Sequence, residues 1–221
     1  MTYTCSRSKS LNVMKDTEKD SPFRGWGAIW QEAKPHLNVR SNDIHTLVST
    51  VFAQQLLDFY PDADADIVLP AIILHDTGWS KVPQEKLLLA FGPGAKYPEI
   101  QRMHELEGVK VAREILERLG FEEAHSKQIT DIIDGHDTTK EARSLNDALM
   151  KDADKLWRYS SGGISIIQGW FDISRGEVLE ILENYVFPTL LTDFGKRMAK
   201  TLLEVEKMSL RFELGDDVLR Q

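Results

Sequence analysis

Cysteine is nearly missing from this chain. Of 221 residues only Cys5 is a cysteine, so no internal disulfide and no thiolate cluster for zinc or iron–sulfur can form. Long apolar runs are missing too. The longest, Ile67 to Leu74, spans eight residues and contains Pro70, whereas a membrane-spanning helix needs about 20. The N-terminus, MTYTCSRSKSLNVMKDTEKD, lacks the apolar stretch of a signal peptide, which points to a cytoplasmic protein with no membrane partner. A basic excess is absent as well. Lys and Arg number 27 against 35 Asp and Glu, and a net charge of −8 argues against general nucleic-acid binding. No alternating strand pattern, repeat or low-complexity segment occurs. What remains is ordinary globular composition, 42% hydrophobic and 28% charged, at a length that suits one domain.

The patterning that is present is helical. Residues 1–24 are polar and aperiodic and are expected to form a flexible tail, with 25–221 a single helical domain. Trp26 and Trp30, four apart, predict a short docked helix. Asn42 or Asp43 can cap a helix to about Tyr60, with Ile44, Leu47, Val48, Val51, Phe52, Leu56 and Phe59 as its apolar positions. Asp64 begins a shorter helix to about His75, apolar on most sides and ended by Gly78; Pro70 argues against a central strand there. The stretch from Phe91 to Glu99, with two Gly and two Pro, reads as a loop. Further helices are expected at about 99–119, stopped by Gly120, and at 122–135, 145–159, 175–186 and 194–213, with Gly162–Gly163 breaking the chain after the helix at 145–159. The fold class is therefore all-α with a single core.

Four of the six histidines sit at telling places. His75 and Asp76 close the most apolar helix, and a carboxylate buried there costs several kcal/mol unless a cation, a metal or a helix terminus compensates. At a fraying helix end two adjacent side chains can converge on one ion. His45, His75, Asp76 and Asp154 together would supply two imidazoles and two carboxylates with positions left for water. That donor set suits Fe, Mn, Co, Ni or Zn, and Mg less well. It is also the arrangement in which an ion acidifies water for hydrolysis.

His45, then His75-Asp76 in LHDTG, then Asp154 in DADKL resembles the HD superfamily of metal-dependent phosphohydrolases, over about residues 40–160. The resemblance implies an all-α HD-domain core, with residues 161–221 as additional helices. Some members carry two further histidines and a second metal, and His104 in RMHELEG and His136 in DGHDTT fall where those ligands occur. By resemblance, Asp76 bridges two divalent transition ions, His45, His75 and Asp154 hold the first, and His104 and His136 the second. The implied activity is hydrolysis of a nucleotide or other small phosphorylated metabolite. A di-iron oxygenase of the same superfamily and a non-catalytic metal-containing binding module are the alternatives.

The chain departs from the family pattern at Trp79, where many members have a lysine near the phosphate; Lys81 lies close by and could serve instead. The glycine–tyrosine–proline signature of cyclic-dinucleotide phosphodiesterases is absent, which argues against that substrate. Asp152 shares a helical stripe with Leu145, Leu149 and Leu156 and looks core-facing, so it is a supporting or alternate ligand beside Asp154. Lys96, Arg102, Lys151, Lys155 and Arg158 lie near the candidate ligands in sequence and could clamp phosphate oxygens, Lys155 and Arg158 being preferred. The expected catalytic set is Asp76, Lys81, Lys155 and Arg158. His36 and His125 receive no role, and nothing in the sequence speaks to oligomeric state.

Overall fold

The computed structural model describes residues 21–90, 92, 95–213 and 215. Among them all regular structure is helical. The elements are α1 (Gly27–Ala33), α2 (Asn42–Phe59), α3 (Ala65–Leu74), α4 (Pro98–Arg118), α5 (Glu123–Ile133), α6 (Leu145–Leu156), α7 (Ser161–Phe171), α8 (Arg175–Ile181) and α9 (Asp193–Glu213). Tight 3-10 segments at His75–Lys81 and Trp157–Tyr159 extend α3 and α6, and a π-helical turn, Leu182–Val186, extends α8. No helix among the described residues is long and apolar enough to cross a membrane.

The centre of the fold is α3. The Asp64 carboxylate accepts from the Asp66 amide and starts the helix as expected. Every residue from Ile67 to Leu74 is buried. At roughly 1.5–3 kcal/mol per large aliphatic side chain, this burial outweighs the backbone bond lost at Pro70. α1, α2, α5 and α6 pack around it. The expected tail falls mostly on residues 1–20, outside the described ones. Phe23, however, is buried and stacks on Trp30 with ring centroids 4.1 Å apart, so the docked segment begins before α1.

The expected core face of α2 is a correction. Ile44, Leu47, Val51 and Phe59 are exposed, Val48 and Phe52 half-buried, and Leu56 alone of the seven is buried. The face turned inward carries His45, Thr46, Ser49, Thr50 and Ala53. Small side chains let α2 approach α3 and α6 closely, and that approach brings an imidazole into the interior. Thr50 satisfies its hydroxyl by donating to the Thr46 carbonyl. α4 shows the same preference for the site: Met103 and Leu106 are exposed, while His104, Glu105 and Gly108 are buried.

Two boundaries also differ. The His75–Lys81 segment runs through Gly78 instead of ending there. Gly162 and Gly163 do not break the chain but lie in the first turn of α7. The break is at Ser160, whose extended backbone ends the 3-10 turn and whose hydroxyl accepts from the Gly163 amide. Glycine is required at 163 because a Cβ there would stand 2.1 Å from the Trp157 carbonyl oxygen. α7 itself has no counterpart in the sequence reading.

Candidate metal centre

Five separate elements deliver the candidate ligands. His45 sits in the first turn of α2, directly after Arg40 and Ser41, both at positive φ (53° and 58°). Two consecutive non-glycine residues in this region cost backbone strain that the surrounding packing must hold. His75 and Asp76 lie where α3 tightens into its 3-10 extension. His104 comes from α4, Asp154 from α6, and His136 from the turn after α5, which Gly135 enables at φ 88°.

All six side chains are buried and meet. His45 Nε2 lies 2.9 Å from His75 Nε2, 3.3 Å from Asp154 Oδ1 and 3.5 Å from Asp76 Oδ2. His75 Nε2 lies 3.4 Å from Asp154 Oδ1 and 3.5 Å from Asp76 Oδ1. His104 and His136 meet at 3.2 Å between Nε2 atoms, each 3.7 Å from Asp76 Oδ1. The two groups thus share Asp76. Donors around one ion with bonds of about 2.0–2.1 Å stand about 2.9 Å apart across a right angle and about 3.3 Å across a tetrahedral one. The two His–His spacings of 2.9 and 3.2 Å and the His45–Asp154 spacing of 3.3 Å match those values, and the remaining carboxylate contacts, at 3.4–3.7 Å, are somewhat longer. Imidazole and carboxylate donors without thiolate suit a divalent transition metal.

Burial and neighbouring charge split each histidine pair. Burial pushes His45 down, and burial together with His136 pushes His104 down to about 4. For His75, Asp76 and Asp154 outweigh the opposing burial and raise it. For His136, the hydrogen bond with Asp76 and the charge of Asp137 outweigh burial and raise it to about 10. Burial also opposes ionisation of Asp76 and Asp154, yet the surrounding histidines, and Arg158 beside Asp154, hold both well below the usual carboxylate range.

Surrounding groups aim these donors. The Nδ1 atoms of His75 and His136 contact the Ile72 and Ile133 carbonyl oxygens at 2.8 Å, which turns both Nε2 atoms inward. Trp79 donates from Nε1 to Asp76 Oδ1 at 3.0 Å and stacks on His104 with centroids 3.9 Å apart. Glu105, fully buried, accepts from the Asp137 and Thr138 amides, the Thr138 hydroxyl and Arg102, and so holds the turn that carries His136. Trp157 sets its edge against the His45 ring.

A cleft of about 1040 Å³ opens over the cluster, lined by His45, Asp76, Asp137 and Asp154 among others. Lys155 and Arg158 line it; Arg158 Nη1 donates to the Asp154 carbonyl at 2.8 Å. Lys81 does not line it: it is exposed beside His36 at the end of the 3-10 segment, and Arg40 stands among the lining cations instead. Lys96 is exposed, Arg102 is bonded to Glu105 and Asp134, and Lys151 donates to the Thr139 and Glu141 carbonyls, which ties down a loop. Asp152 does not join the cluster. Its carboxylate accepts from the Leu191 and Thr192 amides and the Thr192 hydroxyl, anchoring the segment before α9.

Three cleft residues receive no role from the sequence. Asp137 carried a legible signal, since His136-Asp137 repeats the His75-Asp76 dipeptide; its Oδ2 lies 3.7 Å from His104 Nε2. Arg40 and Trp79 carried little, because their positions depend on a strained loop and on the crossing of α4. Arg40 places its guanidinium 4.4 Å over Trp79 and 4.9 Å over Trp170, and burial pulls it down only to about 10, so it stays charged at neutral pH.

The family model of the HD domain matches residues 42–158, from the first residue of α2 to the last cation of the cleft. No curated protein and no solved structure matches the chain.

Proposed function

The chain belongs to the HD domain family, and on that premise we propose that it hydrolyses the phosphoester of a small phosphorylated metabolite in a metal-dependent reaction. The HD domain and the two adjoining His/Asp clusters support metal-dependent chemistry of the hydrolase or oxygenase kind. The observation that favours hydrolysis is the placement of Arg40, Lys155 and Arg158 in the same cleft as the cluster. Cations beside a metal site suit the charge that spreads over the oxygens of a transferring phosphoryl group.

His45, His75, Asp76 and Asp154 would hold one ion, and Asp76, His104 and His136 a second. When bound, such ions acidify water and neutralise phosphoryl charge. The protein's own residues do the rest. Arg158, held by Asp154, and Lys155 grip the phosphoryl oxygens from the α6 side, and Arg40 from the opposite loop. Trp79 donates to Asp76 Oδ1, the oxygen that faces His75, His104 and His136, and so fixes the carboxylate that the two ligand groups share.

The test is phosphate release by protein reconstituted separately with Mn, Fe, Co, Ni and Zn, with and without oxygen. Release that needs metal, proceeds anaerobically and disappears in Asp76→Ala supports the reading. Oxygen consumption without phosphate release overturns it.

A further inference from the structure

The cleft is larger than the family match. Residues 161–189 lie beyond the matched segment, yet α7, α8 and the π-helical turn supply one whole wall of it. Its volume of about 1040 Å³ is at the upper end of the roughly 300–1,000 Å³ of pockets that enclose drug-sized ligands. A phosphate group would occupy only the end beside the ligand cluster.

The lining is segregated by charge. Its cations are Arg40, Lys155 and Arg158, none of which comes from the added wall. That wall is mostly hydrocarbon, with Ile167, Ile173, Val178 and Ile181 among its lining residues, and its charged lining groups, Glu177 and Glu180, are acidic. Aromatic contact joins the two ends: Trp157 touches His45 on one side and Trp170, 5.8 Å away between centroids, on the other. The π-helical turn places Leu182 and Val186 at the cleft, and such turns are frequent at functional sites. A ligand matched to this lining carries its negative charge at one end and is apolar over the rest. A polyphosphate would leave its further charges against isoleucines and glutamates, and a sugar phosphate would leave hydroxyls against the isoleucines, where their lost hydration is not replaced.

We propose that the substrate is the phosphate monoester of a hydrocarbon alcohol, its phosphate at the ligand cluster and its chain along the α7–α8 wall. This inference rests on the phosphohydrolase reading above. In the reaction, the oxygen of a water bonds to phosphorus and the phosphorus–oxygen bond to the alcohol breaks. The departing alcohol oxygen ends with a proton, giving the free alcohol and inorganic phosphate.

Two series test it on the metal-loaded full chain. In the first, kcat/KM is measured for ethyl, butyl, hexyl and octyl phosphate, with glycerol phosphate and adenosine monophosphate beside them. Efficiency should rise by up to about fourfold per added methylene, the fold-change that corresponds to about 0.8 kcal/mol per buried CH2, and octyl phosphate should exceed both polar esters. A flat series, or a polar ester turned over as well as octyl phosphate, overturns the proposal. In the second, calorimetry follows binding of the corresponding alkyl phosphonates, which cannot be hydrolysed at a phosphorus–oxygen ester bond. Affinity should rise with chain length, and Ile173→Asn should reduce the gain per methylene while Ile173→Leu keeps it. Phosphonate affinity independent of chain length overturns the proposal. Chain-length-dependent binding with no phosphate release from any ester would instead count against the phosphohydrolase reading and leave the apolar subsite standing.

Discussion

Gly78 and Gly108 meet backbone to backbone where α4 crosses the His75–Lys81 segment. A Cβ on Gly78 would stand 1.9 Å from the His104 carbonyl oxygen and 2.4 Å from the Gly108 amide nitrogen. No side-chain rotation relieves a clash with backbone, so the two elements would have to separate. Their closeness is what sets His104 beside Asp76. Gly78→Ala should therefore lower unfolding stability by about 1–3 kcal/mol or more and weaken metal retention. Gly108→Ala should cost less, because its Cβ would reach only 3.0 Å from the His75 carbonyl oxygen. Urea unfolding of both variants checks the order, and equal midpoints would refute the account.

Asp152 and Asp154 occupy one turn of α6 but serve different ends. Asp154→Ala should remove metal and activity, since its carboxylate faces both His45 and His75. Asp152→Ala should retain metal but lose three hydrogen bonds to residues 191 and 192. At roughly 1–3 kcal/mol for leaving buried partners unsatisfied, the penalty should appear in the melting curve. Metal content and thermal unfolding, measured together, decide it; loss of metal in the Asp152 variant would contradict the assignment.

Trp79→Phe keeps an aromatic ring over His104 and deletes the Nε1–H that bonds Asp76 Oδ1. Groups that orient a metal ligand typically matter by about 10–100-fold in affinity or activity. A drop of that size, with the melting temperature shifted only slightly in chelated protein, is the expected outcome. Wild-type metal affinity and turnover would show that the indole is packing alone.

His104→Ala and His136→Ala should empty one ligand group and spare the other, which keeps His45, His75, Asp76 and Asp154. Elemental analysis should read one ion fewer per chain, and phosphate release should fall much further than metal content. Unchanged stoichiometry with unchanged rate would leave a single ion as the working site.

Chelation should destabilise the whole chain, because the ligands come from α2, α3, α4, α5's end and α6. An ion that binds only the native state stabilises it by about 2.7 kcal/mol at a hundredfold excess over its dissociation constant. Calorimetric melting before and after verified metal removal measures this, and coincident curves would rule it out.

Much of the fold was legible because its signals are local. The Asp64 cap, the apolar run Ile67–Leu74 and the stop at Gly120 are properties of neighbouring residues, and each of these elements stands where its pattern predicts. The spacing of His45, His75-Asp76, His104, His136 and Asp154 was legible for a related reason. Each sits at or near a helix end that the sequence marks.

Which face of a helix turns inward was not legible. Hydrophobic periodicity assigns the α2 core to Ile44, Leu47 and Val51, but burying His45 among partners that satisfy it, between closely packed small residues, decided the rotation the other way. Partners distant in the chain were equally invisible. Asp152 belongs to the Leu191–Thr192 segment, Arg40 to Trp79 and Trp170, and Glu105 to the His136 turn. The sequence by itself determined the all-helical class, the family and the residues able to hold metal, since these depend on residue type and short-range order. Only the tertiary structure decided that the helices after residue 160 wall the cleft, because packing across about a hundred residues of chain brings Ile173 and Val178 into the same cavity as Asp76.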